Sequence, residues 1–295
     1  MVEKKQESAA TPAPELDLLP LGIGGSVFIV LLIVIFVGNY LIKTLTSISS
    51  PTFTPTLGIG STQVSNKDGM TLVFVPANEF TMGSDAYSNE QPIHKVELDA
   101  FWIDQTEVTN AMYAKCVEEG GCATPPRSSK SYTRDNYYGN SEFDDYPVIY
   151  VDWNQASEYC AWAKRRLPTE AEWEKAARGT DGKTYPWGNE SSDVNLLNYN
   201  SKVGDTTEVG KYQGGASIYG VLDMAGNVWE WVSSLYQPYP YDPNDGREDL
   251  TASGSRVLRG GSWISVDLIV RSAFRLRGDP SGSSSYFGFR CSLSP

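Results

Sequence analysis

The sequence predicts an α+β fold with little regular secondary structure, preceded by one N-terminal transmembrane helix. First, residues 18–42 form an uncharged, largely apolar run. Second, patterns typical of helices are confined to the middle of the chain, over 109–178. Third, the chain beyond Gly179 is rich in Gly, Asn, Ser and Asp and contains only short apolar segments. The length of 295 residues therefore accommodates an anchor and one large folded domain.

The uncharged run is long enough to cross a bilayer, since about 20 apolar residues suffice for a helical span. A cleaved signal peptide is the alternative, but no small-residue cleavage site follows the run, so we favour an uncleaved span. The flanking segments are polar and rich in Ser, Thr, Pro and Gly, which is typical of tails and linkers. The predicted organisation is a disordered tail over 1–17, a transmembrane helix over 18–43, a flexible stalk over 44–68 and a folded domain over 69–295.

Capping residues locate the helices of the folded domain. Asp152 with Gln155, and Thr169 with Glu172, have the spacing of capping boxes, and Gly179 is a typical helix end. Alternating or continuous apolar residues indicate the strands. The predicted elements are strands over 71–76 and 96–103, helices over 109–119, 152–165 and 169–178, and short apolar segments over 256–258, 273–276 and 287–293.

The charged and nucleophilic residues exclude several classes of function. With 24 Lys and Arg against 36 Asp and Glu, the net charge is −12, so no nucleic-acid partner is expected. His94 is the only histidine, which excludes sites with several imidazoles, and we interpret it as a surface or edge residue. Ser262 lies in no nucleophile-elbow motif. Glu170, Glu172 and Glu174 would point in different directions on a helix. We therefore interpret Glu170 and Glu172 as capping and framework residues and not as an acid/base pair.

Six segments, in order, resemble motifs of the formylglycine-generating enzyme (sulfatase-modifying factor) family. They are GMTLVFVPANEFTMGS at 69–84, EVTN at 107–110, RLPTEAEWE at 166–174, GNVWEW at 226–231, RGGSW at 259–263 and GFRC at 288–291. The resemblance covers essentially all of the predicted folded domain. It implies an elaborated C-type-lectin-like domain, which agrees with the α+β prediction.

The resemblance also implies where a catalytic metal would bind. Active members bind copper(I) through two cysteine thiolates, at the second and seventh positions after the aromatic residue of the Gly-Gly-Ser motif. Counted from Trp263, these positions hold Ser265 and Val270, and neither side chain is the soft ligand that copper(I) requires. A related branch uses a three-histidine iron site, which His94 alone cannot form. We therefore expect no copper and favour a non-catalytic role, with a formylglycine-generating oxidase as the alternative.

The resemblance further implies a disulfide between Cys160 and Cys291, which leaves Cys116 and Cys122 as a second pair. Four buried thiols are the alternative. Two disulfides indicate an oxidising compartment, and the charges flanking the span give only a slight orientation bias. The expected location is therefore the cell membrane, with a single pass, the N-terminus inside and the folded domain outside the cytoplasm.

Calcium is the expected structural cofactor. The segment 223–230 places two carboxylates in a glycine-containing loop, and calcium prefers such hard oxygen ligands. The ligands that the resemblance implies are the side chains of Asp223 and Glu230 and the carbonyls of Gly226 and Val228, with a second site near Asn198 and Tyr199. Alternatively, Asp223 and Glu230 only accept hydrogen bonds from backbone amides.

Segment 264–287, between two framework motifs, is the predicted ligand-binding surface. It mixes aromatic, arginine and small residues, which is typical of recognition surfaces, and it resembles the variable region of diversity-generating retroelement proteins. We expect Arg271, Ala273 and Arg275 to belong to the framework. The predicted ligand-binding residues are Trp263, Ile264, Asp267, Leu268, Phe274, Leu276, Tyr286 and Phe287. All of them except Trp263 are expected to be exposed around one concave or flat patch. The predicted function is a membrane-anchored, extracytoplasmic binding module for a protein, peptide or glycan, or a regulatory partner in an envelope complex.

Overall fold

A computed structural model describes residues 26–45, 57–127 and 129–295. The chain divides into two compact units, over 1–55 and 56–295. In the first unit, helix α1 covers Ser26–Leu45, and the large apolar side chains over 31–37 are exposed. Among the described residues, no helix is both long and apolar enough to cross a membrane. The predicted tail and the first residues of the predicted span lie outside the described residues, as do residues 46–56 of the predicted stalk.

The second unit is built on three small sheets. Its strands are β1 (Thr62–Val64), β2 (Thr71–Val75), β3 (Asn78–Met82), β4 (His94–Leu98), β5 (Phe101–Asp104), β6 (Trp229–Leu235), β7 (Arg256–Arg259), β8 (Arg275–Gly278), β9 (Phe287–Phe289) and β10 (Ser292–Leu293). The sheet orders are β1-β2-β5-β10, β3-β4 and β8-β7-β6-β9. The β6–β9 pair is parallel, and the other strand pairs are antiparallel.

Among its described residues, the second unit also has three α-helices, namely α2 (Asn110–Glu118), α3 (Trp153–Trp162) and α4 (Glu170–Arg178), and three short 3-10 helices. Both predicted capping boxes are present, because the side chains of Asp152 and Thr169 accept hydrogen bonds from the third helical amide. Gly179 ends α4 with a φ of 72°. Together with the short strands, these helices confirm the α+β fold class.

The domain begins earlier than the predicted boundary at Gly69. Strand β1 pairs with β2, with Thr62 opposite Val73, and the buried side chain of Asp68 forms an ion pair with Arg165. The prediction of a flexible stalk to residue 68 is therefore wrong at its C-terminal end. Ser and Thr are as compatible with an edge strand as with a linker, so composition alone did not distinguish them.

The predicted disulfides are confirmed. Cys160 is bonded to Cys291, and Cys116 to Cys122. The first bridge joins α3 to the segment before β10 inside the largest apolar cluster, which also contains Tyr159, Trp231 and Phe289. Helix α4 is buried along its whole length, so its charged side chains must find partners inside the protein.

Candidate functional site

Two glutamates of α4 bind arginines of strands β7 and β8 and one arginine of α4 itself. Glu170 accepts hydrogen bonds from Arg275 at 2.6 and 2.7 Å and from Arg259 at 3.3 Å. Glu174 accepts bonds from Arg259 at 2.5 Å and from Arg178 at 2.8 Å. Burial alone would raise the pKa of Glu174, but the two guanidinium groups hold it below its ordinary value. These five residues form the α4 cluster, which confirms the predicted framework role of Glu170 and gives Glu174 the same role.

Glu172 and His94 also have structural roles. Glu172 completes the capping box and accepts two 2.6 Å hydrogen bonds from Arg166.

His94 lies at the start of β4. Its Nε2 accepts a hydrogen bond from the Tyr241 amide at 2.8 Å, and its Nδ1 lies 2.7 Å from the Pro92 carbonyl oxygen. Both ring nitrogens are therefore used in holding neighbouring segments together, as expected for an edge histidine.

A second buried cluster lies at the predicted calcium loop. Glu230 is bound by Arg290 through two 2.7 Å hydrogen bonds. Glu107 accepts hydrogen bonds from the Asn227 side chain at 2.8 Å and from the Val228 amide at 3.2 Å. Asp223 accepts a 2.5 Å bond from the Gly210 amide. Glu107, Asp223, Glu230 and Arg290, the β6 cluster, thus contain three carboxyl groups and one guanidinium.

The surplus of carboxyl groups changes their titration. Burial raises the pKa of Glu107 well above its ordinary value, and the neighbouring Asp223 and Glu230 raise it further. Burial also raises the pKa of Asp223 to about 6, against the opposing effects of the Gly210 amide and Arg290. The β6 cluster therefore favours an additional positive charge, either a proton or a cation.

The donors implied for calcium fit this environment unequally. Both Glu230 oxygens accept hydrogen bonds from Arg290, and one also accepts the Trp173 indole N–H at 2.8 Å. A cation bound by Glu230 would have to displace that guanidinium, so Glu230 does not fit as a ligand. Among the described residues, no group of three His, Cys, Asp or Glu side chains has the arrangement of a metal site. Gly226 is needed for packing, since a Cβ there would lie 2.2 Å from the Asn198 carbonyl oxygen.

Asn198 fits a cation better than Glu230. Its amide nitrogen donates to the Asp205 carbonyl at 2.8 Å and to the Asn227 side chain at 3.3 Å, which fixes the orientation of the amide. Its Oδ1 is buried and has no hydrogen-bond partner. The adjacent Tyr199 is also buried. Asn227 binds both the amide nitrogen of Asn198 and the carboxylate of Glu107, so it connects Asn198 to the β6 cluster.

The side chains at the two positions implied for copper ligands, Ser265 and Val270, are both buried and have structural contacts. Val270 is fully buried and packs with Tyr185, Leu197 and other apolar residues. Ser265 is buried, and its hydroxyl accepts a 3.0 Å hydrogen bond from the Ser262 amide. Neither side chain offers a metal ligand comparable to a thiolate.

The predicted ligand-binding residues do not form one exposed group. Ile264, Asp267 and Leu268 are exposed, and they lie in one short loop, the 264–268 loop, together with Val266. The predictions of exposure for Phe274, Leu276, Tyr286 and Phe287 are wrong. These four residues are half-buried and pack against the largest apolar cluster, because two of them lie in or beside β8 and two in or beside β9.

Trp263, which was also predicted to bind the ligand, is only 2% exposed. Its ring packs 5.0 Å from that of Tyr132, which is 67% exposed and was not predicted. Tyr185 stacks on Trp187 at 4.9 Å, and the Tyr185 hydroxyl donates to the Asp267 carbonyl at 3.4 Å. Distant segments therefore bring aromatic residues to the 264–268 loop, and no local sequence pattern signals this.

Arg271, Ala273 and Arg275 are buried, which agrees with their expected framework role. Arg271 binds the buried Glu90 through hydrogen bonds of 2.7 and 3.0 Å. The segment 264–287 thus combines a fixed core with the exposed 264–268 loop and a second exposed turn at 279–283.

Comparisons with known proteins agree with this architecture. Residues 60–294 match the family described as Sulfatase-modifying factor enzyme 1-like domain. The chain is 34% identical over 258 residues to hercynine oxygenase of Mycolicibacterium smegmatis, covering 75% of this chain and 60% of that protein. It is 32% identical over 285 residues to the mouse inactive C-alpha-formylglycine-generating enzyme 2, covering 79% of this chain and 88% of that protein.

Other similar proteins include a formylglycine-generating enzyme and two solved structures. Identity to the formylglycine-generating enzyme of Streptomyces coelicolor is 32% over 276 residues, covering 74% of this chain and 88% of that protein. PvdO from Pseudomonas aeruginosa has a TM-score of 0.64 at 26% identity, covering 81% of this chain and 100% of PvdO. Treponema denticola variable protein 1 has a TM-score of 0.64 at 25% identity, covering 80% and 99%. The chain therefore belongs to the sulfatase-modifying factor (formylglycine-generating enzyme) family.

Proposed function

We propose that this protein is a non-catalytic binding module of the family, presenting the 264–268 loop to a protein or peptide ligand. The observation that carries the proposal is the pair Ser265 and Val270, which occupies the implied copper positions with a hydrogen-bonded hydroxyl and a buried isopropyl group. The existence of a mammalian relative named as inactive supports the same conclusion.

The exposed side chains favour a protein or peptide over a glycan. Ile264, Val266 and Leu268 are each about half exposed, and the exposed Tyr132 packs on Trp263, which directly precedes the loop. Apolar side chains with an aromatic anchor are typical of protein-recognition surfaces. Specific binding of the protein to a glycan array would contradict a protein or peptide ligand.

The catalytic alternative is tested directly with a sulfatase-type cysteine peptide and copper(I). We expect no formylglycine product above a control without the protein, measured by mass spectrometry. The variant Ser265→Cys with Val270→Cys restores two thiols and should gain copper binding. Aldehyde formation by the unmodified protein would instead support the oxidase.

The binding proposal is tested by selecting peptides from a displayed library on the full chain in detergent. We expect the selected peptides to lose binding to the variant Ile264→Ser with Leu268→Ser. Val194→Ser, at a comparably exposed apolar position, is the matched control. Equal binding to the double variant and to the control would contradict the proposal.

We also propose that the protein is anchored in the cell membrane by residues 18–43, with the disulfide-bonded domain outside the cytoplasm. The uncharged run and the exposed apolar side chains of α1 support anchoring, and the two disulfides support an oxidising compartment. Leu32→Arg with Ile35→Arg should release the protein from carbonate-washed membranes, whereas Leu32→Ala with Ile35→Ala should not. Retention of the arginine variant would contradict the anchor.

Calcium belongs to the proposal as a structural cofactor at Asn198. The buried, unpartnered Oδ1 atom and the surplus of carboxyl groups in the neighbouring β6 cluster support it.

Sequence diversification of the exposed 264–268 loop is a further part of the proposal. It is supported by the structural similarity to Treponema denticola variable protein 1. Sequencing residues 264–287 in many isolates should show changes concentrated at 264–268.

A further inference from the structure

A cleft beside the start of α4 contains a half-buried carboxylate, that of Glu248, which forms no ion pair with any described residue. The cleft has a volume of about 320 Å³ and is lined by Ser157, Arg166, Leu167, Thr169, Ser233, Glu248 and Leu250. A second cavity of about 290 Å³ shares Arg166, Thr169 and Glu248 with it. The cleft shares no lining residue with the 264–268 loop, so it is independent of the binding surface proposed above.

Glu248 is held in place by hydroxyl groups alone. Its Oε1 accepts hydrogen bonds from the Ser234 hydroxyl and from Tyr241 at 2.9 Å, and its Oε2 accepts one from Ser233 at 2.9 Å. Within the described part of the chain, no Lys, Arg or His nitrogen lies within 4 Å of this carboxylate. Burial raises the pKa of Glu248, while the hydroxyl donors oppose that effect.

The arginine in the cleft does not supply the missing charge. Arg166 donates two 2.6 Å hydrogen bonds to Glu172, one to each oxygen, and a further bond of 2.7 Å to the Ser292 hydroxyl. This bidentate pair is electrically balanced. The buried Arg256 also attracts Glu248 electrostatically, but its guanidinium donates to the backbone carbonyls of Ser233 and Leu250. Among the residues that line the cleft, Glu248 is therefore left without a direct ion-pair partner.

The fully buried glutamates of the domain differ from Glu248 in their ion pairing. Glu90, Glu170, Glu174 and Glu230 each form an ion pair with an arginine. Glu107 lacks such a pair but is fully buried in the core. Glu248 combines the missing partner with a position on the wall of a cavity, so a ligand could provide the charge.

The free acceptor site on Glu248 restricts the ligand. A carboxylate offers about four lone-pair sites, and the three hydroxyls occupy two at Oε1 and one at Oε2. One site remains at Oε2. A single free acceptor site on Oε2 can bind one N–H group of an ammonium ion. It is less suited to a guanidinium group, which binds a carboxylate through two parallel hydrogen bonds.

The remaining lining provides the rest of a site for an alkylammonium group. Leu167 and Leu250 are apolar, and the Leu250 side chain is exposed at the cleft. Ser157 and Thr169 add hydroxyl acceptors. We propose that this cleft binds an ammonium group on an apolar stem, with the ammonium donating to Glu248 and the stem packing against the two leucines.

Two sources provide this chemistry: a free alkylamine and a lysine side chain of a peptide. Calorimetric titration of the full chain with n-pentylamine and with the peptide Gly-Gly-Lys-Gly-Gly distinguishes them. We expect saturation by at least one probe with a Kd of about 1 mM. A matched peptide with norleucine in place of lysine should not bind. Absence of binding by both amine probes would overturn the proposal.

Variants then locate the site. Glu248→Gln should weaken binding about tenfold or more, because it removes a charged hydrogen-bond acceptor. Glu142→Gln, at an exposed position, is the matched control and should bind as the wild type. If Glu248→Gln fails to fold, Leu250→Ala provides the test, since it leaves the hydroxyl network intact and should weaken binding a few fold. Unchanged affinity in a folded Glu248→Gln variant, or in Leu250→Ala, would overturn the proposal.

Discussion

The α4 and β6 clusters are both buried and ionic, but their charge imbalances have opposite signs. The α4 cluster has three arginines and two glutamates, whereas the β6 cluster has one arginine and three carboxyl groups. In the first, surplus guanidinium N–H groups donate to backbone carbonyls, as Arg259 does to Ser272 at 2.7 Å. In the second, the pKa values of Glu107 and Asp223 rise.

The chemistry of the two groups explains the difference. A guanidinium remains charged at any accessible pH and has five donors, so an excess of arginine is accommodated by carbonyl oxygens. A carboxyl group can instead be neutralised by a proton, so an excess of carboxylates makes the fold sensitive to pH. The α4 cluster should therefore be a constant source of stability and the β6 cluster a variable one.

The largest expected effect is in the α4 cluster. Arg259→Met leaves Glu170 and Glu174 without one of their guanidinium partners in a fully buried site. We expect a loss of about 3–5 kcal/mol in the free energy of unfolding, measured by urea denaturation. Arg277→Met, at an exposed position of β8, is the control and should change stability by less than about 0.5 kcal/mol. Equal losses in the two variants would show that the buried network is not responsible.

The second effect is the pH dependence of the β6 cluster. The pKa of Asp223 is raised from 3.8 to about 6 on folding, so protonation stabilises the fold. This contribution is fully present below about pH 3.8 and is lost as the pH rises through about 6. Asp223→Asn stays neutral and retains an oxygen for the Gly210 amide. Relative to wild type, it should therefore become more stable by about 1–3 kcal/mol between pH 4 and pH 7.

The measurement is urea denaturation of both proteins at a series of pH values between 4 and 8. Asp279→Asn, at an exposed position, is a control outside the β6 cluster. A stability difference between Asp223→Asn and wild type that does not change across this range would contradict the raised pKa.

The sequence predicted features with local signals and missed those made by distant segments. The capping boxes at Asp152 and Thr169 depend on residues three positions apart, and both were correct. The disulfide of Cys160 and Cys291 followed from the family resemblance. By contrast, the binding of Glu107 to Asn227 joins segments 120 residues apart, and neither residue carries a local pattern that identifies its partner.

The candidate surface shows the same limit. Exposure of Ile264 and Leu268 was predicted correctly, but Phe274 and Tyr286 pack against the core. An aromatic residue in a turn-rich segment is compatible with either location, and the neighbouring strands decide between them. The stacking of Tyr132 beside Trp263 likewise depends on two loops that are distant in sequence.

The smallest expected effect is that of calcium, which would supply positive charge beside the β6 cluster without replacing Arg290. Binding at Asn198 should raise the melting temperature, because only the folded state brings the ligands together. At calcium tenfold above its Kd, the gain is about 1.4 kcal/mol. The gain in stability from calcium should be larger at pH 8 than at pH 5, since Asp223 is ionised above its pKa of about 6.

Two variants locate the site. Asn198→Ala should abolish the calcium response, whereas Asn195→Ala, at an exposed position, should retain it. Identical melting temperatures in calcium and in chelator at pH 8 would contradict calcium binding at Asn198. The surplus carboxyl groups of the β6 cluster would then be neutralised by protons alone.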